Sequence, residues 1–163
     1  MDNKNSIAHR VKSTAYESKI SLLYALRSML FADLEDFMGK YIVNLNEVPV
    51  GKITGRETRD LISGKTVGSK GISLRIADVL PGAICTPGHV HTECEEVIFI
   101  LSGQGEIKIG EETFPMKVGD AIHLPTGVPH LIRNTGKEVM RMACSFSSND
   151  ISRDLKSEEG MKF

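Results

Sequence analysis

Between residues 17 and 38 the apolar side chains Ile20, Leu23, Leu26, Leu30, Leu34 and Phe37 recur at intervals of three and four, and Leu22, Met29 and Phe31 widen the stripe. An apolar face with the period of a helix predicts an amphipathic helix, and Gly39 marks its end. Such a stripe either covers the outside of a core or forms a subunit interface, and both uses are compatible. Residues 1–16 are polar without a strong period and read as an arm or a loosely packed first helix.

From residue 41 the helical period disappears. Short β-rich runs at 41–43, 58–62, 72–79 and 97–101 are separated by Gly, Pro and Asn, a pattern that predicts an all-β sandwich or barrel. Residues 105–109 and 112–118 flank Gly110-Glu111, a two-residue connection with Gly first, as a type II′ hairpin requires. Val97, Ile98, Phe99, Ile100 and Leu101 are apolar at every position, so both faces of that strand need cover. If Glu96, Ile98 and Ile100 face inward by parity, Val97, Phe99 and Leu101 require a further layer, from a second sheet, the N-terminal helix or a partner subunit. Residues 139–146 supply a closing strand. In the polar tail, Asn149 or Asp150 is placed to cap a short helix running to Gly160. The predicted organisation is a helical extension at 1–40, a barrel at 41–148 and a tail at 149–163.

At 163 residues the chain has the size of one domain. Its 20 Lys and Arg against 21 Asp and Glu leave a formal charge of −1, which argues against a nucleic-acid or anionic membrane partner. The first roughly forty residues hold one clear helix and no basic cluster, too little for a helix-turn-helix. The apolar run at 22–31 is broken by Arg27 and Ser28 and is too short to span a bilayer. Cys85, Cys94 and Cys144 form no C-x-x-C pair, and residues 1–5 do not resemble a secretory leader, so the expected compartment is the cytoplasm.

The chemistry lies in two stretches, 82–103 and 119–134. His89 and His91 stand two apart, so on a strand both imidazoles point to the same face. Glu96 lies five residues beyond His91, out of that register unless the polar 92–95 segment bends the chain back. His130 offers a fourth donor. Three imidazoles and a carboxylate suit one divalent transition metal, manganese, iron, nickel, zinc or copper. A lone histidine on a strand is commonly structural, and His9 is read that way.

These stretches resemble the paired motifs of the cupin superfamily, G-x5-H-x-H-x3-4-E-x6-G and G-x5-P-x-G-x2-H-x3-N. Gly119, Pro125, Gly127, His130 and Asn134 match the second; His89, His91, Glu96 and Gly103 match the first, with Gly82 one residue further upstream than the pattern asks. The resemblance spans roughly residues 70–146. It implies a double-stranded β-helix, or jelly roll, holding one metal ion through His89, His91, Glu96 and His130. Glu95 is the rival to Glu96, since the family pattern allows either spacing, but only Glu96 keeps the six-residue interval to Gly103. The fifteen residues between Gly103 and Gly119 leave room for a tight hairpin and no inserted domain.

Four protein donors on a six-coordinate ion leave two positions for water, dioxygen or a chelating substrate. That arrangement serves either dioxygen activation or Lewis-acid catalysis. The resemblance implies dioxygenases, decarboxylases, isomerases or lyases of small oxygen-rich molecules such as carboxylates, sugar acids or enediols, without selecting one; the alternative is a non-catalytic cupin that binds or senses a small ligand. Lewis-acid chemistry needs an acid or base beside the metal, for which His123 is the candidate, although it equally suits the barrel wall or a partner contact. Arg75, between Leu74 and Ile76, either points inward to bind a substrate carboxylate or sits outside as a surface charge. Asn134 is read as a brace at a strand end. Cys85 and Cys94 lie close enough in sequence to the ligands to bear on the metal, though buried cysteines are more commonly inert. The doubly apolar strand and the helix stripe together predict a homodimer.

Overall fold

The structure, a computed structural model, describes residues 21–23, 26, 41–152 and 155–163. The chain divides into two compact units, 1–42 and 43–163. In the first, Leu22, Leu23 and Leu26 are helical and exposed; Ile20, Leu30, Leu34 and Phe37, and with them most of the predicted stripe, lie outside the described residues. The strand expected at 41–43 does not form. Tyr41 is helical, and the chain then enters a 3-10 turn at Leu45–Glu47, where the Asn44 side chain accepts from the Asn46 N–H. A short β-branched run becomes a strand only where a neighbouring strand pairs with it.

The second unit consists of two antiparallel sheets. One has six strands in the order β1 (Gly51–Ile53), β2 (Arg56–Ile62), β3 (Ser73–Val79), β10 (Met140–Phe146), β5 (Glu96–Ser102) and β8 (Ala121–Leu124). The other has five, in the order β11 (Leu155–Glu158), β4 (Gly88–His91), β9 (His130–Asn134), β6 (Gln104–Ile109) and β7 (Glu112–Lys117). Neighbours such as β10 beside β3 are far apart in sequence, so the chain passes repeatedly between the sheets, as in a jelly roll.

The core lies between the sheets. On β5, Glu96, Ile98 and Ile100 are buried while Val97, Phe99 and Leu101 are 42–44% exposed, the alternation expected from parity. Ile107 from β6, Leu124 from β8 and Met140 and Met142 from β10 pack in the same cluster. Each fully buried aliphatic side chain contributes about 1.5–3 kcal/mol. The β6–β7 hairpin turns at Gly110, whose φ is 57°, and Glu111 does not share that sign, so the turn is of type II′. Gly103 ends β5 with φ at 80°, and a Cβ there would stand 2.7 Å from Met140 Cα, so neither the backbone nor the space accepts a side chain.

The C-terminal tail departs from expectation. Its polar signal makes a turn and then a strand rather than a helix. Asp150 Oδ1 accepts from the Ser152 N–H two residues on, closing a local turn. The chain then pairs as β11 along the free edge of β4, with Leu155 opposite His91 and Ser157 opposite His89. Satisfying that open ladder edge supplies the hydrogen bonds an isolated short helix would have had to provide itself.

Candidate metal centre

Two sheets contribute to one cluster. His89 and His91 stand on β4, and parity sends both imidazoles to its inner face. His130 opens β9 directly opposite His89. Glu96 opens β5 in the other sheet, with Leu124 and Phe146 beside it. The turn before β9 is anchored to the first motif, because the Gly127 N–H donates to the His91 carbonyl at 2.7 Å. Gly127 has φ at 80°, which explains a glycine at that motif position.

One donor atom from each of His89, His91, Glu96 and His130 lies within 4.8 Å of the other three. Donors bound at roughly 2.0–2.2 Å to a common ion are at most about 4.4 Å apart, so a small contraction closes this set on a cation. The ring centroids of His89 and His130 are 4.3 Å apart, and those of His89 and His91 are 5.3 Å apart. His91, Glu96 and His130 are buried. His130 Nδ1 lies 3.4 Å from the Val128 carbonyl, the contact that directs Nε2 into the cluster when Nδ1 carries the proton.

The electrostatics fit the same use. Burial pushes the His89 imidazole down to about 3, with His130 adding to the effect, so near neutrality it is uncharged and open to a metal. Burial alone would raise the Glu96 carboxyl, but the His130 and His91 side chains beside it outweigh that and hold it well below the usual carboxylate range. Glu96 Oε2 stands 3.3 Å from His91 Nε2 and 3.4 Å from His130 Nε2. Those contacts stabilise the charge without forming a well-directed hydrogen bond, and among the described residues Glu96 Oε2 and His130 Nε2 have no hydrogen-bond partner although sealed from solvent. Buried polar atoms without partners are costly, and a cation at the centre of this cluster would satisfy them.

The cluster borders a cavity of about 30 Å³, also lined by Arg56, Arg75, Cys85, Cys144, Phe146 and Ile151. That free space holds about one water, so only a small group fits beside an ion without displacing the rim.

Of the other predicted residues, Arg75 faces inward on β3 and lines the cavity, its Nε and Nη2 gripping both carboxylate oxygens of Asp60 at 2.6 and 3.1 Å. His123 is not brought into the cavity. It pairs across the sheet with the outward-facing Val97, and its exposed ring stands 3.6 Å from the exposed Glu95 carboxylate. The parity of β8, which buries Leu124, turns its neighbour His123 outward. Glu95 is therefore on the outer surface and Glu96 inside. Asn134 is a brace: its Nδ2 donates to the Val79 and Glu138 carbonyls and its Oδ1 accepts from the Gly136 N–H. Cys85 and Cys144 line the cavity, and burial pushes both thiols up, Cys144 most strongly with Glu96 adding to the shift, so both are protonated and poorly nucleophilic. Cys94 packs in the core.

Arg56 escaped the sequence reading. It lies on β2 in the run Arg-Glu-Thr-Arg-Asp, where charges alternate on both faces and hide the period. Buried Thr58, two residues on, is the one local sign that this parity turns inward.

A two-sheet antiparallel jelly roll with three histidines and a glutamate clustered between its sheets defines a small-barrel protein built around one candidate metal centre. The family model for the cupin domain matches residues 75–146. L-ectoine synthase of Vibrio campbellii is 32% identical over 93 residues, covering 56% of this chain and 70% of that protein. The chain belongs to the cupin superfamily. Polyketide synthase CurC of Streptomyces cyaneus is 29% identical over 112 residues, covering 69% of this chain and 72% of the relative. Among solved structures, Streptomyces Pac13, a nucleoside dehydratase, superposes with a TM-score of 0.62 at 15% identity, over 72% of this chain and 90% of that one. A predicted oxalate decarboxylase of Thermotoga maritima superposes with a TM-score of 0.59 at 23% identity, over 66% and 98% of the two chains. At such identities the structural likenesses establish the fold alone.

No helix among the described residues is long and apolar enough to cross a membrane.

Proposed function

We propose that the chain is a mononuclear metal-dependent enzyme that acts on a small oxygen-rich molecule. The observation that carries this reading is the convergence of His89, His91, Glu96 and His130 beside a cavity, with Glu96 Oε2 and His130 Nε2 buried and without a hydrogen-bond partner among the described residues. A divalent transition ion held by these four residues would supply Lewis-acid polarisation or a site for dioxygen. The protein's own part is to keep the His89 imidazole neutral, to orient His130 through the Val128 carbonyl, and to shield the site with Phe146 and Ile151. Arg75, held by Asp60, is positioned to orient substrate, and among the described residues no histidine beyond the three ligands lines the cavity as a proton carrier. Chemistry that needs little proton transfer from protein groups is therefore favoured. The same reading includes a homodimer formed through the exposed row Val97, Phe99 and Leu101.

Elemental analysis of protein purified without added metal tests the centre. The expected result is one transition ion per chain in the natural protein and none in His91→Ala, whose circular dichroism stays that of a β protein. Full occupancy in that variant would remove His91 from the ligand set. Oxygen uptake with simple acids then separates the redox from the Lewis-acid branch.

A further inference from the structure

The cavity beside the candidate metal centre holds about one water, so a substrate of several heavy atoms enters only when part of its wall moves. Most of that wall is fixed. Arg75, Ala77, Met142, Cys144 and Phe146 stand on β3 and β10, which pair along their whole length inside the six-stranded sheet. Two lining residues differ. Ile151 lies in the turn after β10, and Leu155 opens β11, the outermost strand of its sheet among the described residues. All four residues of β11 are exposed, and Leu155 is 38% exposed although it lines the cavity, so it stands at the mouth. A short edge strand with little buried apolar surface belongs to the least stable part of a fold.

The attachments of β11 are few and identifiable. It runs antiparallel along β4 with Leu155 opposite His91 and Ser157 opposite His89, so it flanks both imidazoles. The chain then turns, the Met161 N–H donating to the Glu158 carbonyl at 3.1 Å, and Met161 seats on Gly88, where a Cβ would stand 2.9 Å from the Met161 Cβ and Sδ. Arg133 Cζ lies 4.3 Å from the centre of the Phe163 ring, and Lys108 Nζ donates to the Lys162 carbonyl at 2.9 Å. β4 does not depend on β11 alone. On its other side His89 pairs with His130, and the His91 carbonyl accepts from the Gly127 N–H.

We propose that β11 and the residues after it form a strap, clasped at Met161 and Phe163, that lifts from β4 to admit substrate past Ile151 and Leu155 and then closes over it. β4 keeps its histidines in place while the outer strand moves. What the strap admits rests on the metal-centre reading above, but its movement is tested without a metal.

Cys85 and Cys144 line the cavity, whereas Cys94 is buried in the core outside that lining. The metal-free chain is treated with methyl methanethiosulfonate, too large for the closed cavity, and mass spectrometry follows each cysteine. The expected result is that Cys85 and Cys144 react at least tenfold faster than Cys94, which waits for global unfolding. With Met161→Ala and Phe163→Ala together, both should react at least fivefold faster still while Cys94 is unchanged. Val90 and Lys156 are opposed on the face away from the imidazoles, at a spacing a disulfide spans. In Val90→Cys with Lys156→Cys, forming that disulfide should slow Cys85 and Cys144 at least fivefold, and reducing it should restore them. One common rate for the three natural cysteines overturns the proposal, because only global unfolding then exposes the cavity. Rates at Cys85 and Cys144 that neither the clasp variant nor the disulfide changes overturn it too, because the mouth then lies elsewhere. If the clasp variant speeds Cys94 equally, the oxidised and reduced forms of the locked variant decide: a fivefold difference sustains the strap and equal rates overturn it. Manganese uptake by the natural protein is measured separately. No bound ion defeats the metal reading and leaves the strap to stand or fall on the labelling rates.

Discussion

Asp78 on β3 clamps three strands of the six-stranded sheet together, and its removal has a calculable cost. It accepts from Arg141 Nε at 2.6 Å and Nη2 at 2.8 Å on β10, and from Arg59 Nη1 at 3.1 Å on β2. The carboxylate is 10% exposed, while the Arg59 and Arg141 side chains are 21% and 41% exposed. Breaking a fully buried ion pair costs about 3–5 kcal/mol and an exposed one about 0–1 kcal/mol. A buried acid with one half-exposed and one mostly buried partner falls between, so Asp78→Asn, which keeps the shape and removes the charge, should cost about 2 kcal/mol. For a domain of this size that is a fall in melting temperature of about 5 °C.

The effect carries a pH signature. Hydrogen bonds and charge from Arg141, with Arg59 adding to them, outweigh burial and hold the Asp78 carboxyl below its ordinary value. A depressed carboxylate stabilises the fold in full above the unfolded-state value of about 3.9, and the contribution drains away as pH falls through the folded-state value. Urea denaturation of both proteins at pH 7 and at steps below pH 4 should therefore show a gap that is constant near neutrality and closes in acid. A gap under about 0.5 kcal/mol at pH 7, or one of the same size at pH 3, would falsify the clamp as an electrostatic device.

Other outcomes follow from the same geometry. Ile100→Ala removes a wholly buried side chain at the centre of the core and should cost about 2–5 kcal/mol in chemical denaturation; a loss below about 1 kcal/mol would mean that the two sheets do not enclose it as described. His123→Ala should leave bound metal and turnover within about twofold of the natural protein, because the ring lies on the outer face beside Glu95; a large fall in turnover with metal intact would return His123 to the site. Phe99→Glu places a charge in the exposed Val97, Phe99 and Leu101 row, and light scattering should show a dimer giving way to a monomer. A natural protein that is already monomeric at micromolar concentration excludes the dimer.

The cluster of His89, His91, Glu96 and His130 was legible in the linear chain because its spacing is set by local rules. Two residues apart on one strand means one face, so His89 and His91 had to converge, and a Gly at φ near 80° is needed both where β5 ends and in the turn before His130. The burial of Glu96, Ile98 and Ile100 against the exposure of their neighbours followed from the same parity. The type II′ hairpin was equally local, since Gly110 alone can take its conformation cheaply.

Long-range pairing decided the rest. Whether Arg75 faced the cavity or solvent depended on the registers of β2 and β10 beside it, which set Asp60 opposite Arg75 and place Cys144 on its other side. Arg56 was hidden because charges occupy both faces of β2, so no period marks the inner one; only the sheet it joins gives that face a meaning. His123 lay near His130 in sequence, yet it points to solvent from the six-stranded sheet while His130 is buried on the five-stranded one. The tail shows the same division: its polar residues announce a turn at Asp150, but a strand rather than a helix follows because β4 presents an unpaired edge, and a ladder completed there satisfies backbone groups that a short helix would leave open. By itself the sequence determined which four side chains cluster at the candidate metal centre, through period and turn geometry. Tertiary structure decided what surrounds it, because strand register depends on partners far away along the chain.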